Sequence, residues 1–251
     1  MAGADRHHRQ HFALDLTGLA RPLLLVTGIA EGLGAEIATT FARAGHDVIG
    51  LSRTDRCSAL IRQSVESHGG SYTHLACDVT SPGDVTAALA PHAADIDVLI
   101  HNAHMLLIKP FAQTTAVEFA QVWRVACLGA MLSAQAVIPH MAARRKGTII
   151  FAGATAAIRG GANFSAFASA KFALRGLAQS LAREVGPAGV HVAHLVLDGL
   201  IDEVQTEQRF GAAPATRMSP QAIARACLEL AAQDTTAWTH EMDLRPFSER
   251  F

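Results

Sequence analysis

Short apolar runs alternate with longer amphipathic segments along the chain from Pro22 onward. The runs at 23–27, 47–51, 72–77, 97–100, 148–151 and 190–196 are rich in aliphatic residues, several of them in Val and Ile. Runs of this length and type are typical of strands buried on both faces. Between them, apolar positions at helical spacing predict helices at 33–44, 57–68, 82–90, 115–143, 164–185 and 220–233. A last apolar segment, 237–244, predicts an edge strand.

Strands that alternate with helices in this way predict βαβ units, a parallel sheet and right-handed crossovers. No linker, repeat or low-complexity block interrupts the pattern. We therefore expect a single-domain, doubly wound α/β fold of the Rossmann type over residues 21–251. Residues 1–20 are polar and rich in His, and we expect them to form a separate N-terminal arm.

Composition excludes several classes of function. Half of the 251 residues are apolar and 17% are charged, which is typical of a globular domain. The net charge is −1, from 21 basic and 22 acidic residues, so no electrostatic signature of nucleic acid or anionic membrane is present. The four Cys residues are far apart and predict reduced thiols. No apolar run was expected to approach the ~18 residues of a membrane span. Together with the lack of a secretion signal, these features predict a cytoplasmic protein.

A glycine-rich turn joins the first predicted strand to the first predicted helix. The segment 27–34 reads TGIAEGLG, with Gly28, Gly32 and Gly34 in a TGxxxGxG spacing and Leu33 opening the helix. Glycines let the backbone approach a pyrophosphate, and the helix N-terminus offers N–H groups and a positive dipole. Three glycines alone also mark an ordinary tight turn. Their position in the first βα unit favours a nucleotide phosphate site.

This loop and several later segments resemble the short-chain dehydrogenase/reductase family over about residues 20–205. The supporting segments are Cys77-Asp78-Val79, the sequence DVLIHNA at 97–103, Lys171 and the sequence LAQSLARE at 177–184. The resemblance implies a nicotinamide dinucleotide cofactor. It also implies that Asp78 and Val79 border the adenine and that Asn102 and Ala103 border the adenosine ribose. The cofactor residues we predict are Thr27, Gly28, Gly32, Leu33, Gly34, Ser52, Arg53, Asp78, Val79, Asn102, Ala103, Lys171, Gly199 and Ile201.

The end of the second predicted strand indicates which dinucleotide is bound. A carboxylate at this point accepts from the ribose 2′-hydroxyl of NAD, whereas Arg accommodates the 2′-phosphate of NADP. Ser52 stands at the carboxylate position, and Arg53 follows it. Glu31 counts against NADP, because the resemblance implies a basic residue there in many NADP-binding members. We predict NADP(H) over NAD(H).

The resemblance also implies a catalytic Tyr, Ser, Asn and Lys, and the sequence keeps only Lys171. Phe167, Ala154 and Ala126 stand at the Tyr, Ser and Asn positions. Phenylalanine and alanine side chains carry no proton to donate. The catalytic candidates that remain are Lys171, His104 near the expected nicotinamide ribose, and Thr155 one position after Ala154. His101 and His104 have no evident third ligand, so we predict no metal site.

Three functional interpretations follow. The first is an NADP(H)-dependent oxidoreductase with a proton source other than Tyr, acting on a small organic substrate such as an activated alkene or iminium. The second is a catalytically inactive dinucleotide-binding protein. The third is a lyase or isomerase on the same scaffold, using His104 with Asp198 or Asp202. Small residues along 115–143 and 164–185 predict a homodimer or homotetramer built on these helices. The loop 201–218 carries no motif that identifies the substrate.

Overall fold

Seven parallel strands form one sheet in the order β3-β2-β1-β4-β5-β6-β7. This is seen in a computed structural model that describes residues 20–212 and 216–249. The strands are β1 Leu23–Thr27, β2 Asp47–Ser52, β3 Tyr72–Ala76, β4 Ile96–His101, β5 Gly147–Ala152, β6 Val190–Leu197 and β7 Glu241–Leu244. The predicted doubly wound α/β fold is confirmed. The arm at 1–20 lies outside the described residues, apart from Ala20.

Helices cover both faces of the sheet. They are α1 Leu33–Arg43, α2 Ser58–Glu66, α3 Pro82–Leu89, α4 Ala116–Trp123, α5 Gly129–Arg144, α6 Ser165–Val185, α7 Val204–Phe210 and α8 Pro220–Ala231. One apolar core joins the sheet to α1, α2 and α8, and the other joins it to α3, α5 and α6. Both faces of the central strands are therefore dry, which explains why their sequences are apolar at consecutive positions.

The long helix predicted at 115–143 differs from the structure in one informative way. Its two ends are the α-helices α4 and α5, and a single π-helical turn, Arg124–Leu128, joins them. Ala126 lies in this turn, fully buried, at the position where the resemblance implies Asn. The 3.6-residue pattern continues through the turn, so periodicity alone does not predict it. The unassigned loop 201–218 also contains a short helix, α7.

The segment Ala116–Arg144 is long and apolar enough, by length and composition, to cross a membrane. Our expectation that no segment approaches this length is therefore wrong on those two criteria. Ala130, Ala134, Val137 and Met141 of this segment are almost fully buried in the core that faces the sheet. A core helix satisfies the same criteria.

The order of the strands reverses at β1. After the edge strand β3, the chain returns to the middle of the sheet and places β4 on the other side of β1. Thr27 and His101, at the carboxyl ends of these two strands, are register partners. In open α/β sheets, ligands bind in the crevice beyond the carboxyl ends at such a switch point. The phosphate loop starts at this place.

Candidate active site

The glycine loop forms a backbone cradle at the start of α1. Gly28 has a φ of 72°, and its N–H donates to the Leu51 carbonyl at 2.8 Å. A Cβ on Gly28 would collide with the backbone of Ala103. Gly32 has a φ of 95° and precedes Leu33, the first residue of α1. Both glycines therefore adopt a backbone conformation that L side chains rarely adopt, and α1 begins directly after the second of them.

The variant Gly28→Ala tests whether the close approach of the Ala103 backbone costs stability in addition to the strain of a positive φ. Gly45 offers a matched control, because its φ is 96° and a Cβ there would meet nothing within 4 Å. Both alanines incur positive-φ strain of about 1 kcal/mol, and Gly28→Ala also forces the Ala103 backbone to move, for a total of about 2–4 kcal/mol. Denaturant unfolding of the two variants should show this difference in free energy. Equal losses would mean that the contact with Ala103 is unimportant.

Next to the end of β2 lie Ser52, Arg53 and a residue that sequence analysis missed, His74 on β3. Ser52 Oγ donates to the Thr54 carbonyl at 2.8 Å and shares a second hydrogen bond with His74 Nε2 at 2.9 Å. Arg53 is exposed. The Ser52 hydroxyl therefore has partners within the protein, and the exposed Arg53 guanidinium follows it in the chain. No sequence signal marked His74, because a β2–β3 pairing register was needed to place it opposite Gly50, two residues from Ser52.

The predicted adenine and ribose residues lie on neighbouring loops. Asp78 Oδ1 accepts from both the N–H and the hydroxyl of Thr80, each at 2.9 Å. Val79 is buried against Gly129 at the start of α5. Asn102 Nδ2 donates to the Gly28 carbonyl at 3.2 Å, and the Asn102 N–H donates to the Thr27 carbonyl at 3.0 Å. Asn102 and Ala103 thus hold the shape of the glycine cradle.

One cavity of about 610 Å³ is lined by residues at or just after the carboxyl ends of β4, β5 and β6 and by the first turns of α6. Asn102, Lys171, Gly199, Ile201 and Glu203 are among the residues that line it. Its apolar lining includes Leu106, Phe164, Phe167, Leu200 and Phe210, and its charged lining includes Arg159, Arg209 and Glu249. The cavity therefore brings Lys171 together with Asn102, Gly199 and Ile201 of the predicted cofactor residues, and its apolar walls suit a substrate with a hydrophobic body.

Lys171 is a buried cation at this cavity. Its side chain is on α6, the residue is 3% exposed, and Nζ donates to the Ala152 carbonyl at 2.6 Å. Nζ also lies 5.7 Å from the centroid of the Phe167 ring. Burial lowers the pKa of Lys171 to about 8, because the charged form loses hydration. At neutral pH the group is therefore protonated, with a proton that it can release far more readily than an exposed lysine.

Two histidines lie on the side of the site nearest β4. His101 is fully buried and its Nδ1 shares a hydrogen bond with Thr27 Oγ1 at 2.7 Å. Burial and then the Lys171 cation lower the pKa of His101 to about 3. His104 lies against Phe167, with ring centroids 6.5 Å apart, and its Nδ1 is 3.1 Å from the Asn102 carbonyl oxygen. The surrounding protein and then the Lys171 cation lower the pKa of His104 too, and this residue is exposed. Both rings are neutral at pH 7 and poor proton donors.

The Thr155 hydroxyl is hydrogen-bonded to a buried carboxylate. Its hydroxyl donates to Asp198 Oδ1 at 2.6 Å, and Asp198 is 1% exposed. Arg159 Nη2 lies 3.4 Å from Asp198 Oδ1, and Arg245 Nη2 lies 3.4 Å from Oδ2. The two guanidiniums compensate the buried charge. Thr155 lines the cavity, but its proton is directed at Asp198 and not at a ligand.

The last predicted residues follow β6, and here the structure adds a residue that sequence analysis did not assign to the cofactor. Gly199 packs against Pro246 and Met218, and Ile201 forms an isolated bridge with Met218. Two residues later, Glu203 Oε2 accepts from the Leu33 N–H at 3.3 Å. The sequence showed carboxylates near this point, but only the fold shows that one of them reaches the phosphate loop.

The chain is similar to known proteins of one family. A family model described as short chain dehydrogenase matches residues 22–211. An L-2,3-butanediol dehydrogenase of Corynebacterium glutamicum is 31% identical over 195 residues, covering 73% of each chain. A crystal structure of a short-chain dehydrogenase from Rhodopseudomonas palustris is 36% identical, with a TM-score of 0.78, covering 90% of this chain and 99% of that one.

More distant structures share the fold alone. A metagenomic short-chain oxidoreductase in complex with NADP is 24% identical, with a TM-score of 0.78 over 91% of this chain and 98% of that one. An NAD+-bound xylitol dehydrogenase is 20% identical, with a TM-score of 0.82 over 90% of this chain and 98% of that one. The family match spans the phosphate loop, the switch point and the helix that carries Lys171. The chain therefore belongs to the short-chain dehydrogenase family, whose members bind nicotinamide dinucleotides.

Proposed function

We propose that this protein is an NADP(H)-dependent oxidoreductase in which Lys171, and not a tyrosine, supplies the proton. The observation that carries the proposal is a buried ammonium in a cavity whose lining includes Asn102, a residue that hydrogen-bonds the glycine cradle. Lys171 and Asn102 both line this cavity, and Asn102 donates to Gly28 in the cradle. Phe167 lines the same cavity at the position where the family places its tyrosine.

The residues present fit a dinucleotide. Gly28 and Gly32 adopt positive φ angles in the turn into α1, and the Leu33 N–H at the start of that helix would be available to a phosphate oxygen once it is released by the Glu203 carboxylate. Thr27, Gly28, Gly32, Leu33 and Gly34 would hold the pyrophosphate. Asp78, Val79, Asn102 and Ala103 would border the adenosine, and Lys171, Gly199 and Ile201 would border the nicotinamide end. A bound nicotinamide dinucleotide supplies or accepts a hydride.

Lys171 is the best proton donor among the three catalytic candidates. Thr155 donates to Asp198, and His104 is neutral at pH 7. Lys171 has a pKa of about 8, and a general acid works best when its pKa is near the working pH. In a reduction, Nζ releases one proton to the substrate atom that gains negative charge. The resulting amine regains a proton from water in the open cavity.

The substrate that suits this site is a small organic molecule with an apolar body. Leu106, Phe164 and Phe210 offer it contact area, and exposed Arg209 lies on the cavity wall. An activated substrate such as an enone or an iminium suits this site, because an enone needs only the proton of Lys171 and an iminium needs none. Simple ketones are poorer substrates on this account, because Phe167 and Ala154 provide no hydroxyl to hydrogen-bond the oxygen.

The proposed preference for NADP(H) depends on Arg53. Its exposed guanidinium offers a planar set of donors for the 2′-phosphate, whereas no carboxylate stands at Ser52 to bind a free 2′-hydroxyl. The neighbouring structure with NADP supports this choice weakly, since the NAD+ complex is similar in fold to the same degree.

Arg53→Ala should weaken NADPH binding by about tenfold and leave NADH binding within about twofold, because only NADPH carries the 2′-phosphate. Arg62→Ala is the control, since Arg62 donates to the Tyr72 carbonyl at 2.7 Å and is not part of the proposed site. Fluorescence titration of each variant with both dinucleotides measures the ratio. Parallel loss of NADH and NADPH, or tighter NADH binding by the unmodified protein, would contradict the NADP preference.

A second candidate function is dinucleotide binding without turnover. The loss of hydroxyl and amide groups at Phe167, Ala154 and Ala126 favours it, because these positions carry no donor. A lyase or isomerase that uses His104 with Asp198 or Asp202 has less support. Asp198 pairs with Thr155 and Arg159, and Asp202 pairs with Arg217 at 3.6 Å. Steady dinucleotide turnover that disappears in a Lys171 variant separates the first function from both alternatives.

We also propose that the protein is a cytoplasmic homodimer or homotetramer. Trp123 at the end of α4 and Phe172 on α6 are exposed although both are large and apolar. These helices carry the small-residue stripes from which the assembly was predicted. Phe247, near the C-terminus, is also exposed and suits an arm that covers a neighbouring copy. Sedimentation that shows a monomer at micromolar concentration would contradict the assembly.

A further inference from the structure

A carboxylate already lies at the start of α1. Glu203, on the segment between β6 and α7, accepts a hydrogen bond from the Leu33 N–H at 3.3 Å. A Cβ on Gly32 would collide with the same carboxylate oxygen. The N-cap of α1, Gly32, has no side chain that could satisfy these N–H groups itself. Glu203 therefore serves as the anion at this helix N-terminus, although it is separated from Leu33 by 170 residues along the chain.

The same N–H groups are those that a dinucleotide uses. In the doubly wound fold, the pyrophosphate sits at the N-terminus of the first helix, where backbone N–H groups and the helix dipole favour an anion. A carboxylate oxygen and a phosphate oxygen cannot both accept from Leu33 N–H in the same place. Two anions so close together also repel each other more strongly in a partly buried site than in water.

The surroundings of Glu203 increase this conflict. Two more carboxylates, those of Glu31 and Glu36, line an adjoining cavity of about 390 Å³ whose described lining contains no Lys or Arg. Asp202 also lines it, but its charge is paired with Arg217. Among the ion pairs of residues 20–212 and 216–249, none involves Glu203. Burial raises the pKa of Glu203, while the Leu33 N–H acts to lower it. The negative charges of bound dinucleotide phosphates would therefore find no Lys or Arg among these lining residues to compensate them.

We propose that Glu203 is an internal competitor for the dinucleotide phosphates and that it sets the affinity of the site. This inference rests on the proposed dinucleotide function. Binding then requires the Glu203 side chain to leave the Leu33 N–H, and the segment that carries Glu203 and leads into α7 to change its position. Glu203 selects against ligands that bring negative charge to the start of α1 and has little effect on ligands that do not.

The test measures binding, not turnover. Isothermal titration with inorganic pyrophosphate probes the helix N-terminus directly, and titration with NADPH probes the complete site. Glu203→Gln keeps the size and a hydrogen-bond acceptor but removes the charge. Asp202→Asn is the matched control, because it removes one charge from the adjacent residue, whose carboxylate is exposed and pairs with Arg217. Adenosine, which lacks phosphate, controls for changes in the adenine site.

We expect Glu203→Gln to bind pyrophosphate and NADPH at least about tenfold more tightly than the unmodified protein. Asp202→Asn should stay within about twofold, and adenosine binding should be the same for all three proteins. Tighter pyrophosphate binding with no NADPH binding by any variant would support the role of Glu203 and contradict the dinucleotide function. NADPH binding that is equal in Glu203→Gln and the unmodified protein would overturn the inference and leave the function intact. Unchanged pyrophosphate binding in Glu203→Gln would also overturn it.

Discussion

Lys171→Met is expected to lower turnover about 10²- to 10⁴-fold, which is the usual contribution of a general acid. Methionine fills a similar volume but has no proton to donate. It also removes a cation that is 3% exposed, so the variant should fold and unfold at a denaturant concentration no lower than the unmodified protein. Steady-state rates of NADPH oxidation with an enone substrate, whose reduction takes up a proton, measure the loss. Turnover within threefold of the unmodified rate would contradict the role of Lys171.

The matched variant Lys171→Arg separates the charge from the proton. Arginine keeps the positive charge, but its guanidinium does not release a proton at any pH that the protein tolerates. We therefore expect Lys171→Arg to be nearly as inactive as Lys171→Met. Restored turnover in Lys171→Arg would mean that Lys171 acts only as a fixed charge.

The pH dependence of the unmodified protein supplies an independent check on the same residue. The pKa of Lys171 is about 8, so the ammonium is present below pH 8 and is lost as the pH rises through this value. The reduction rate should be constant at neutral pH and fall about tenfold per pH unit well above pH 8. The oxidation rate, which needs the neutral amine as base, should rise over the same interval. A reduction rate that stays level to pH 10 would contradict proton donation by Lys171.

Phe167→Tyr is expected to create or strengthen ketone reduction, by about 10- to 100-fold. The Phe167 ring lines the cavity, and its centroid lies 5.7 Å from Lys171 Nζ. A phenol at this position would gain a proton that it can donate, and the nearby cation would lower its pKa. The estimate is below the full value of a general acid, because Ala154 still provides no hydroxyl to polarise the substrate.

Phe164→Tyr is the matched control for this gain, since Phe164 lines the same cavity but lies outside the position that the family uses. We expect it to leave ketone reduction within about twofold. Adding Ala154→Ser to Phe167→Tyr should increase the rate further, by about tenfold. Ketone reduction that does not change in Phe167→Tyr, with NADPH binding intact, would contradict the proposal that the substrate is reduced in the cavity beside Phe167.

Much of the fold was predictable because each strand carries its own signal. Strand β1 has the same limits in the prediction and the structure, and a glycine turn and a helix follow it. The other apolar runs differ from the strands by at most one residue at either end, except at β7, where the prediction begins four residues early. Strand ends depend on hydrogen bonds to neighbouring strands, which a single run does not encode.

The positions of long-range partners could not be predicted. Leu33 and Glu203 are 170 residues apart, and only the return of the chain after β6 brings them together. His74 reaches Ser52 across two adjacent strands, and His101 reaches Thr27 across β1 and β4. The π-helical turn at Ala126 is equally invisible, because the sequence stays compatible with an uninterrupted helix. The sequence predicted Lys171 as a site residue, but only the structure shows that it is buried and that its pKa is lowered.

The most direct test of the account is the isotope content of product formed with NADPH that carries deuterium at both C4 positions of the nicotinamide. Carbonyl, enone and imine substrates are incubated with the unmodified protein and with Lys171→Met, and the products are analysed by mass spectrometry. The account predicts one deuterium per product molecule with the unmodified protein, enone and imine products in excess over ketone products, and almost no product with Lys171→Met. Micromolar NADPH binding without any labelled product, or product that forms equally well in the absence of dinucleotide, would contradict it.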